Sequence, residues 1–379
     1  LVGRDFLSFQ WDTLLLETGL LAIFLAPPRW LPGMSKEAPP QKTVLWLMRW
    51  LLFRLMLESG AVKLLSGDPA WRGLTALDFH YETQPLPTWI GWYAHQLPVG
   101  FQKTSVAVMF VIELAAPFLI WLPRRPKIWA CAALVFLQIL IALTGNYCFF
   151  NLLTVALCLF LLDDSFLRWM LPGALSKRLN PSKTAKSVPL HRRLMIAPFA
   201  ALVLLITGVQ RGAMFGRPLP LAPSLEKWIG LAGAFRSINN YGLFAVMTTR
   251  RLEIAVEGSA DGKEWKEYVF KWKPADLNGR PGFVAPHQPR LDWQMWFAGL
   301  GTFRNNPWFI NFLARLVEGS PEVLALLEKD PFPGAPPRFI RALGYEYHFT
   351  SLTEKRAGKG WWKRELKGVY CPVLTRAKP

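Results

Sequence analysis

The chain has few cysteines and lacks the short motifs that mark the common enzyme classes. Its four cysteines, Cys131, Cys148, Cys158 and Cys371, form no CxxC pair, so neither a zinc ribbon nor a disulfide framework is predicted. GxSxG, P-loop, GxGxxG and HExxH motifs are absent, which leaves serine-hydrolase, nucleotide-binding and zinc-protease interpretations without a basis. The sequence therefore predicts no catalytic residue, no cofactor and no metal ligand.

Glycosylation signals and acidic residues are also scarce. The tripeptide Asn180-Pro181-Ser182 has proline in the middle position and is no acceptor, so glycosylation neither supports nor excludes an endoplasmic reticulum setting. Lysine and arginine number 44 against 26 acidic residues, which gives a formal net charge of +18. Because much of this surplus lies in loops between hydrophobic segments, it favours orientation in a membrane bilayer, and we expect no nucleic-acid partner.

Hydrophobic residues, by contrast, are abundant: they make up 52% of the chain, which also holds 18 tryptophans. The predicted fold class is membrane, mainly α: a polytopic bundle of about six transmembrane helices, followed by an extracytoplasmic β-rich α+β domain. The chain starts at Leu1 without Met, so we expect a missing N-terminal segment, with one more helix if the N-terminus is cytosolic. The apolar segments are about 11–26, 44–65, 104–122, 127–144, 148–162 and 194–210.

Loop charges predict how these segments are oriented. Loops 27–43, 123–127 and 163–193 carry an excess of basic residues, whereas loop 66–103 has two basic and three acidic residues. The two kinds of loop alternate along the chain, as the positive-inside rule requires. We therefore predict that the first three loops are cytosolic, and that loop 66–103 and everything after about residue 210 lie outside the cytosol.

The segment 44–65 carries ionisable side chains, although each costs roughly 2.5–3.5 kcal/mol at the bilayer centre. A step of about 100° per residue places Arg54 and Glu58 on one helix face near its middle, while Arg49 and Lys63 lie nearer the ends, where long side chains reach the headgroups. Three interpretations stay open: a structural polar network, a proton path or reaction cavity, and misplaced helix boundaries. The candidate intramembrane network comprises Glu17, Arg54, Glu58, Lys63 and Glu113.

Pro85, Pro87 and Pro98 make a long regular helix through the outer loop 66–103 unfavourable. Its aromatic residues, Trp71, Trp89, Trp92 and Tyr93, predict a segment that lies on the membrane interface. His80, Glu82 and His95 are possible ligands or acid–base groups. However, neither histidine forms an i,i+4 pair with another ligand, so a structural interfacial loop is favoured over a metal site.

After about residue 215 the composition becomes that of a water-soluble domain. Apolar and polar residues alternate around the turn Gly258–Lys263, which predicts a hairpin with strands near 251–257 and 265–272. Further predicted elements are helices at Trp293–Leu300, Pro307–Val317 and Pro321–Lys329, and strands at Arg338–Thr350 and Trp361–Tyr370. The predicted domains are a transmembrane domain at 1–210, with a cytosolic linker at about 163–193 that is basic and flexible over Gly173–Val188, and an extracytoplasmic domain at 211–379.

Several long strings carry a resemblance to a known family. They include LTALDFHYETQPLPTWIGWYAHQLP, LTGNYCFFNLLTVALCLFLLDD, INNYGLFAVMTTRRLEIAVEGSADGKEW and GFVAPHQPRLDWQMWFAGLG. Through these strings the chain is similar to the lipase maturation factor family from about Trp46 to Pro372. The resemblance implies a multi-pass protein of the endoplasmic reticulum membrane, whose lumenal C-terminal domain helps dimeric secreted lipases to fold, assemble and mature. The absence of sequons is also compatible with a bacterial relative, in a plasma membrane that faces the periplasm.

Under this resemblance the expected partners are the lipid bilayer and secreted client proteins such as lipases. The candidate client-binding residues are Phe283, Trp293, Met295, Trp296 and Phe297, because aromatic and methionine-rich patches adapt to nonpolar surfaces. The competing interpretation is that these residues form the core of their domain. His287 and Arg290 beside them are expected to be turn and surface groups. The alternative function is a membrane-embedded enzyme that modifies a lipid or a secretory polypeptide, distantly similar to vitamin K-dependent carboxylase-like proteins.

Overall fold

The computed structural model describes residues 5–26, 40–170, 190–218, 220–221 and 223–375. The predicted flexible linker Gly173–Val188 lies outside these residues, although the wider 163–193 stretch begins with a short helix, Asp164–Met170. All six predicted apolar segments contain helices. Their bounds differ from the predicted ones by several residues at some ends, because apolar composition does not mark where a helix starts.

The first half of the chain is helical. In chain order its helices are α1 Gln10–Leu25, α2 Lys42–Leu65, α3 Pro69–Arg72, α4 Leu77–Thr83, α5 Trp89–His95, α6 Val99–Leu114, α7 Ala116–Leu119, α8 Arg124–Thr144, α9 Phe150–Cys158, α10 Asp164–Met170 and α11 Leu190–Met214. Three stretches are long and apolar enough to cross a membrane, namely Val99–Leu119, Arg124–Thr144 and Ile196–Met214, and Phe150–Leu161 is a shorter apolar helix. The chain is therefore a membrane protein with several spanning helices.

The bundle core forms where these helices turn their apolar faces to one another. Leu14 of α1, Leu51 of α2, Leu134 of α8 and Leu157 of α9 are all buried in one hydrophobic cluster. Burying a leucine side chain stabilises the folded state by roughly 1.5–3 kcal/mol. The lipid-facing sides of α6 and α8 remain exposed and apolar, which is the surface that a bilayer covers.

The second half contains helices and antiparallel strands. Its helices are α12 Pro223–Phe235, α13 Arg290–Gly299, α14 Pro307–Glu318, α15 Pro321–Leu324 and α16 Leu352–Arg356. Its strands are β1 Arg251–Ser259, β2 Lys266–Glu267, β3 Val269–Phe270, β4 Leu327–Lys329, β5 Phe339–Phe349 and β6 Trp362–Thr375. The main sheet has the order β2-β1-β5-β6, and β3 pairs with β4 in a small second sheet.

The two later strands are confirmed, and the predicted hairpin is confirmed in part. Lys266–Glu267 pairs with β1, but Val269–Phe270, from the same predicted strand, pairs with β4 in the small sheet. Glu257 of β1 pairs with Glu267 of β2, and Val256 pairs with Ala342 of β5 in the buried centre of the sheet. The helix predicted over Pro321–Lys329 is wrong in its second part. It ends at Leu324, since Leu327 is buried and pairs with Phe270 in the small sheet, a contact that local periodicity does not reveal.

The outer loop between α2 and α6 is packed against the C-terminal half. It contains only the short helices α3, α4 and α5, in agreement with its prolines. The interfacial placement predicted for its tryptophans is wrong for two of them, since Trp71 and Trp92 are buried inside the protein. Trp92 lies in a cluster with Phe349 and Trp362 of the sheet. Aromatic richness alone does not distinguish a membrane surface from a protein interface.

Arg251 ties this loop to the sheet. Prolines 85 and 87 leave the backbone carbonyls around them without regular partners, and the fully buried Arg251 guanidinium donates to three of them. Its Nη1 lies 2.9 Å from the Glu82 carbonyl oxygen, and its Nη2 lies 2.9 Å from that of Pro85. The third acceptor is the carbonyl of Gln84, and Glu253 balances the charge. The predicted domain boundary at residue 210 remains a prediction. Arg251 and the outer loop lie on opposite sides of this boundary and contact each other.

We predict that Arg251→Met destabilises the protein far more than Arg250→Met. The Arg251 substitution leaves three buried carbonyls without this donor, at about 1–3 kcal/mol for each unsatisfied group, while Glu253 keeps Lys273 as its charged partner. Arg250 is the matched control, because its side chain is 59% exposed and exposed ion pairs contribute little to stability. Thermal unfolding of both variants in detergent measures the difference. Equal melting temperatures would contradict the role given to Arg251.

Candidate functional site

The five candidate network residues lie in two separate groups, and the first group surrounds Arg54. Glu17 of α1 and Arg54 of α2 form a buried ion pair. Arg54 also donates to the Asn239 carbonyl (Nη1 to O, 2.8 Å). The Glu17 carboxylate accepts from the Asn239 backbone N–H at 3.0 Å and from the Tyr241 hydroxyl at 2.8 Å. Glu58, one turn along the same face of α2, accepts from the Tyr241 backbone N–H at 3.0 Å.

This first group joins the segment around residue 240 to the two N-terminal helices. Asn239 and Tyr241 belong to the C-terminal half of the sequence. Both bond the Glu17 carboxylate of α1, and the Asn239 carbonyl also accepts from Arg54 of α2. Buried charges require this kind of compensation, because an unpaired charge in a low-dielectric environment is expensive. The group is therefore a structural connection between the halves.

The second group is the ion pair of Lys63 and Glu113. The Lys63 Nζ lies 2.7 Å and 2.9 Å from the two Glu113 carboxylate oxygens and 3.0 Å from the Ser59 carbonyl. The expectation that Lys63 extends to the headgroups is wrong, since it is only 6% exposed. Gly60 makes the pairing possible: a Cβ there would lie 2.9 Å from the Glu113 side chain, so only glycine lets α2 and α6 approach this closely. Arg49 lies elsewhere and donates to the Phe160 carbonyl.

A cavity of about 370 Å³ lies beside this ion pair, between α2, α6, α8 and α9 and beneath the outer loop. Such a volume is within the range of about 300–1,000 Å³ that is typical of small-molecule sites. Its walls are mostly apolar, with a few polar groups among them. The polar residues that line it are Ser59, Lys63, His80, Tyr81, Ser105, Glu113, Gln138, Thr144, Tyr147, Asn151 and Thr154.

His80 is held neutral at the top of the cavity. The Gln84 amide nitrogen donates to the Tyr81 and Thr144 carbonyls, so its oxygen accepts from the Tyr147 hydroxyl at 2.9 Å. The Tyr147 oxygen is then free to accept from His80 Nε2 at 3.0 Å, which fixes the tautomer with its proton on Nε2. Burial and the nearby Lys63 charge lower the pKa of His80 to about 4, and burial raises the pKa of Tyr147.

Glu82 and His95, the other two candidate loop residues, meet His348 of β5. Glu82 accepts from the Phe349 backbone N–H at 2.6 Å and lies 3.0 Å from His348 Nδ1, while His95 Nε2 lies 3.9 Å from it. Burial lowers the pKa of His95. In the described part of the chain no group of three or more His, Cys, Asp and Glu residues is arranged to hold a metal ion. These residues join the loop to the sheet.

The candidate client-binding residues are divided between core and surface. Trp293, Met295 and Trp296 are buried, so the surface predicted from them is wrong and the core interpretation holds for these three. Trp296 Nε1 donates to the Thr83 carbonyl at 2.8 Å and so holds the outer loop. Phe283 and Phe297 remain exposed.

Arg290 and His287 beside these aromatics have different surroundings. Arg290 is not a free surface group: it binds Asp12 of α1 through two hydrogen bonds, at 2.8 Å and 3.0 Å. The prediction for Arg290 is therefore wrong, because its partner lies more than two hundred residues earlier in the chain. His287 is exposed, as predicted.

Two family models match the chain in order. The lipase maturation factor transmembrane domain matches residues 1–169, and the lipase maturation factor C-terminal domain matches residues 237–372. Lipase maturation factor 2 of Gallus gallus is 38% identical over 100% of this chain and 66% of its own length. The chain belongs to the lipase maturation factor family.

Other members of the lipase maturation factor family are similarly close. Lipase maturation factor 2 of Homo sapiens is 36% identical, with 100% of this chain and 68% of the relative covered. Lipase maturation factor 1 of Homo sapiens is 35% identical over 99% of this chain and 68% of the relative. The chain thus spans about two thirds of the length of the curated relatives it matches. No solved structure matches it.

Sequence reasoning missed several polar residues of this lipase maturation factor fold. Gln138 of α8 and Asn151 of α9 lie within apolar segments and are buried, with the Gln138 Oε1 accepting from Asn151 Nδ2 at 2.9 Å. Amide side chains are also unfavourable in an apolar segment unless they are hydrogen-bonded, and this criterion would have singled out both residues. Asn239 and Tyr241 carry no such signal, because they lie outside the apolar segments and their partners are distant in sequence.

We predict that removing one member of the second ion pair is worse than removing both. Lys63→Met leaves Glu113 buried and unpaired, at a cost of about 3–5 kcal/mol, whereas Lys63→Met with Glu113→Leu removes both charges and recovers most of the loss. A double-mutant cycle of melting temperatures in detergent checks this. If the double variant is as unstable as the sum of the single ones, the two side chains do not interact.

We also predict an acid-sensitive stability that depends on His80. In the folded protein the pKa of His80 is about 4, whereas in the unfolded chain a histidine has a pKa of about 6.5. The stabilising contribution of neutral His80 is therefore complete above about pH 6.5 and decreases as the pH falls toward 4, by up to about 2–3 kcal/mol. Melting temperatures at pH 7.5 and pH 5 should differ less for His80→Gln than for the unmodified chain. An unchanged difference would contradict this assignment.

Proposed function

We propose that this chain is a membrane-anchored factor that assists the folding, assembly and maturation of secreted lipases. The observation that carries the proposal is the match of both lipase maturation factor domains, in order, across nearly the whole chain. The relatives are named for lipase maturation, and their name supplies the client class. A helical membrane anchor joined to a water-soluble half suits a helper that meets its clients at a membrane surface.

We propose that the chain crosses the bilayer about six times and exposes its C-terminal half outside the cytosol. The alternation of basic and non-basic loops supports this orientation. Family resemblance favours the endoplasmic reticulum membrane with a lumenal C-terminal domain; in a bacterial host the corresponding side is the periplasm. The contact between the outer loop and the sheet also supports this orientation, because two segments in contact must lie on the same side of the membrane.

We propose that clients contact an exposed apolar patch formed by Val246, Phe297 and Leu300. The three side chains line one depression of about 370 Å³ on the surface, and each is more than 40% exposed. Phe297 is the member of the predicted client surface that belongs to this patch, and the buried Trp293 and Trp296 support it from below. Exposed patches of this kind suit adaptable contacts with incompletely folded clients.

The alternative of a membrane-embedded enzyme has less support. The Lys63 side chain is bonded to both Glu113 oxygens and to the Ser59 carbonyl. His80 is bonded through Nε2 and has a lowered pKa, so it is a weak base at neutral pH. These groups are engaged as structural partners rather than positioned as a general base.

We predict that co-expression with a secreted dimeric lipase raises the secreted lipase activity. The host should lack its own maturation factor, and the same lipase with an empty vector is the baseline. Because the factor acts on folding, the gain should appear in specific activity and dimer content, measured by activity assay and gel filtration. No gain, or a gain equal to that from the membrane half alone, would overturn the proposed function.

The proposed patch is tested separately with Phe297→Ala combined with Leu300→Ser. This variant should lower client co-purification at least about 5-fold, equivalent to about 1 kcal/mol, while its own melting temperature stays within a few degrees. The matched control is Leu366→Ala with Val369→Ser on β6, where two similarly exposed apolar side chains lie outside the patch. Equal client capture by both variants would exclude the patch as the contact surface.

A further inference from the structure

The cavity beside Lys63 and Glu113 has no part in the proposed contact with clients. We propose that it binds one uncharged, single-chain lipid with an ester, carbonyl or hydroxyl oxygen at its polar end. The lipid enters sideways from the bilayer, between α6 and α8. This inference does not rest on the proposed function, because it concerns the interior of the helical bundle.

The opening of the cavity faces lipid. Leu97, Phe101 and Leu140 line the cavity and are also exposed on the outside of the bundle, Phe101 by 55%. Phe101 lies near the start of α6 and Leu140 near the end of α8, so both are at the end of the bundle beneath the outer loop. Because α6 and α8 are membrane-spanning, a gap between them at this level opens into the acyl chains of a bilayer.

The walls select for an apolar molecule of limited size. Most of the lining is formed by apolar side chains such as Leu55, Met109 and Phe150. A volume of about 370 Å³ is close to the lower limit of ligand sites, which favours one acyl chain over two. Because the cavity opens toward the bilayer, the nearest molecules that can fill it are lipids.

The charges in the cavity favour a ligand without net charge. Lys63 and Glu113 neutralise each other in a close pair, and His80 is neutral. A charged headgroup would lose its hydration on entering the cavity and would find no unpaired opposite charge there. The free-energy cost of such burial is high at low dielectric. A phospholipid or a free fatty-acid anion is therefore disfavoured relative to a neutral ester or alcohol.

Gln138 supplies a donor for the polar end of such a ligand. Its side-chain oxygen accepts from Asn151, whereas its amide nitrogen has as neighbour only the Met56 sulfur at 3.8 Å among the described residues. Thioether sulfur is a weak acceptor, so a buried amide hydrogen of Gln138 lacks a good partner. Gln138 is 4% exposed and lines the cavity, where a carbonyl or hydroxyl oxygen would satisfy this hydrogen.

The test uses the full chain in nanodiscs with a photoactivatable monoacylglycerol as the probe. Covalent labelling is located by peptide mass spectrometry, and we expect it on cavity-lining peptides of α6, α8 and α9. Excess unlabelled monoacylglycerol should compete, whereas a single-chain lysophosphatidylglycerol should compete at least about 10-fold less well. Equal competition would overturn the neutral-headgroup assignment, and labelling confined to outward-facing residues would overturn the cavity itself.

Matched tryptophan substitutions separate the cavity from the general lipid surface. Ser105→Trp places a large side chain at the opening and should reduce cavity labelling at least about 5-fold, while Val108→Trp, on the same helix but away from the lining, should not. Leu140→Trp and Ile139→Trp form a second pair on α8, should the first fail to fold. Equal labelling within a folded pair contradicts the proposed entrance.

A third substitution tests the polar end. Gln138→Leu keeps the volume of the side chain and removes the amide donor, so the monoacylglycerol concentration needed for half-maximal competition should rise about 5–10-fold. A hydrocarbon probe without oxygen should be unaffected by this change. If Gln138→Leu leaves the monoacylglycerol competition unaltered, the hydrogen-bond assignment is wrong. Lipase maturation by these variants is a separate readout, and its retention would leave the proposed function intact.

Discussion

The structure depends on how the buried charges of helices α1 and α2 are compensated. Glu17 and Arg54 pair with each other and both bond Asn239, while Glu58 accepts from the Tyr241 backbone N–H. A buried charge without such partners would be costly. The stability of the helical half is therefore linked to the folding of residues far along the chain. Helix α2 thus packs in the core of the bundle and is also the attachment point of the second half.

Much of the architecture follows from local patterns. The six apolar segments are helical, and the strands around residues 251–259 and 339–349 are close to their predicted bounds, because burial periodicity is a local property. The partners of Lys63, Arg251 and Arg290 could not be predicted in the same way. Each partner is far away in the sequence, and the spacing of residues along the chain does not indicate such contacts.

The aromatic residues show why composition gave the wrong surface. Trp92, Trp293 and Trp296 are rich in apolar area, a property that equally suits a client surface, a membrane interface and a domain core. The structure places all three in the contact between the outer loop, the N-terminal helices and the C-terminal half. Family membership supplies the function that these aromatics did not, and the exposed Phe297 is what remains of the predicted surface.

The contact of Glu58 with Tyr241 has a consequence for biosynthesis. The two residues are 183 positions apart, which at roughly 5–20 residues per second is on the order of 10–40 s of translation. During this interval Glu58 of α2 has already been synthesised, whereas Tyr241, whose backbone N–H donates to the Glu58 carboxylate, has not. The nascent helix α2 therefore passes through a state in which Glu58 lacks the hydrogen-bond donor that it has in the folded protein.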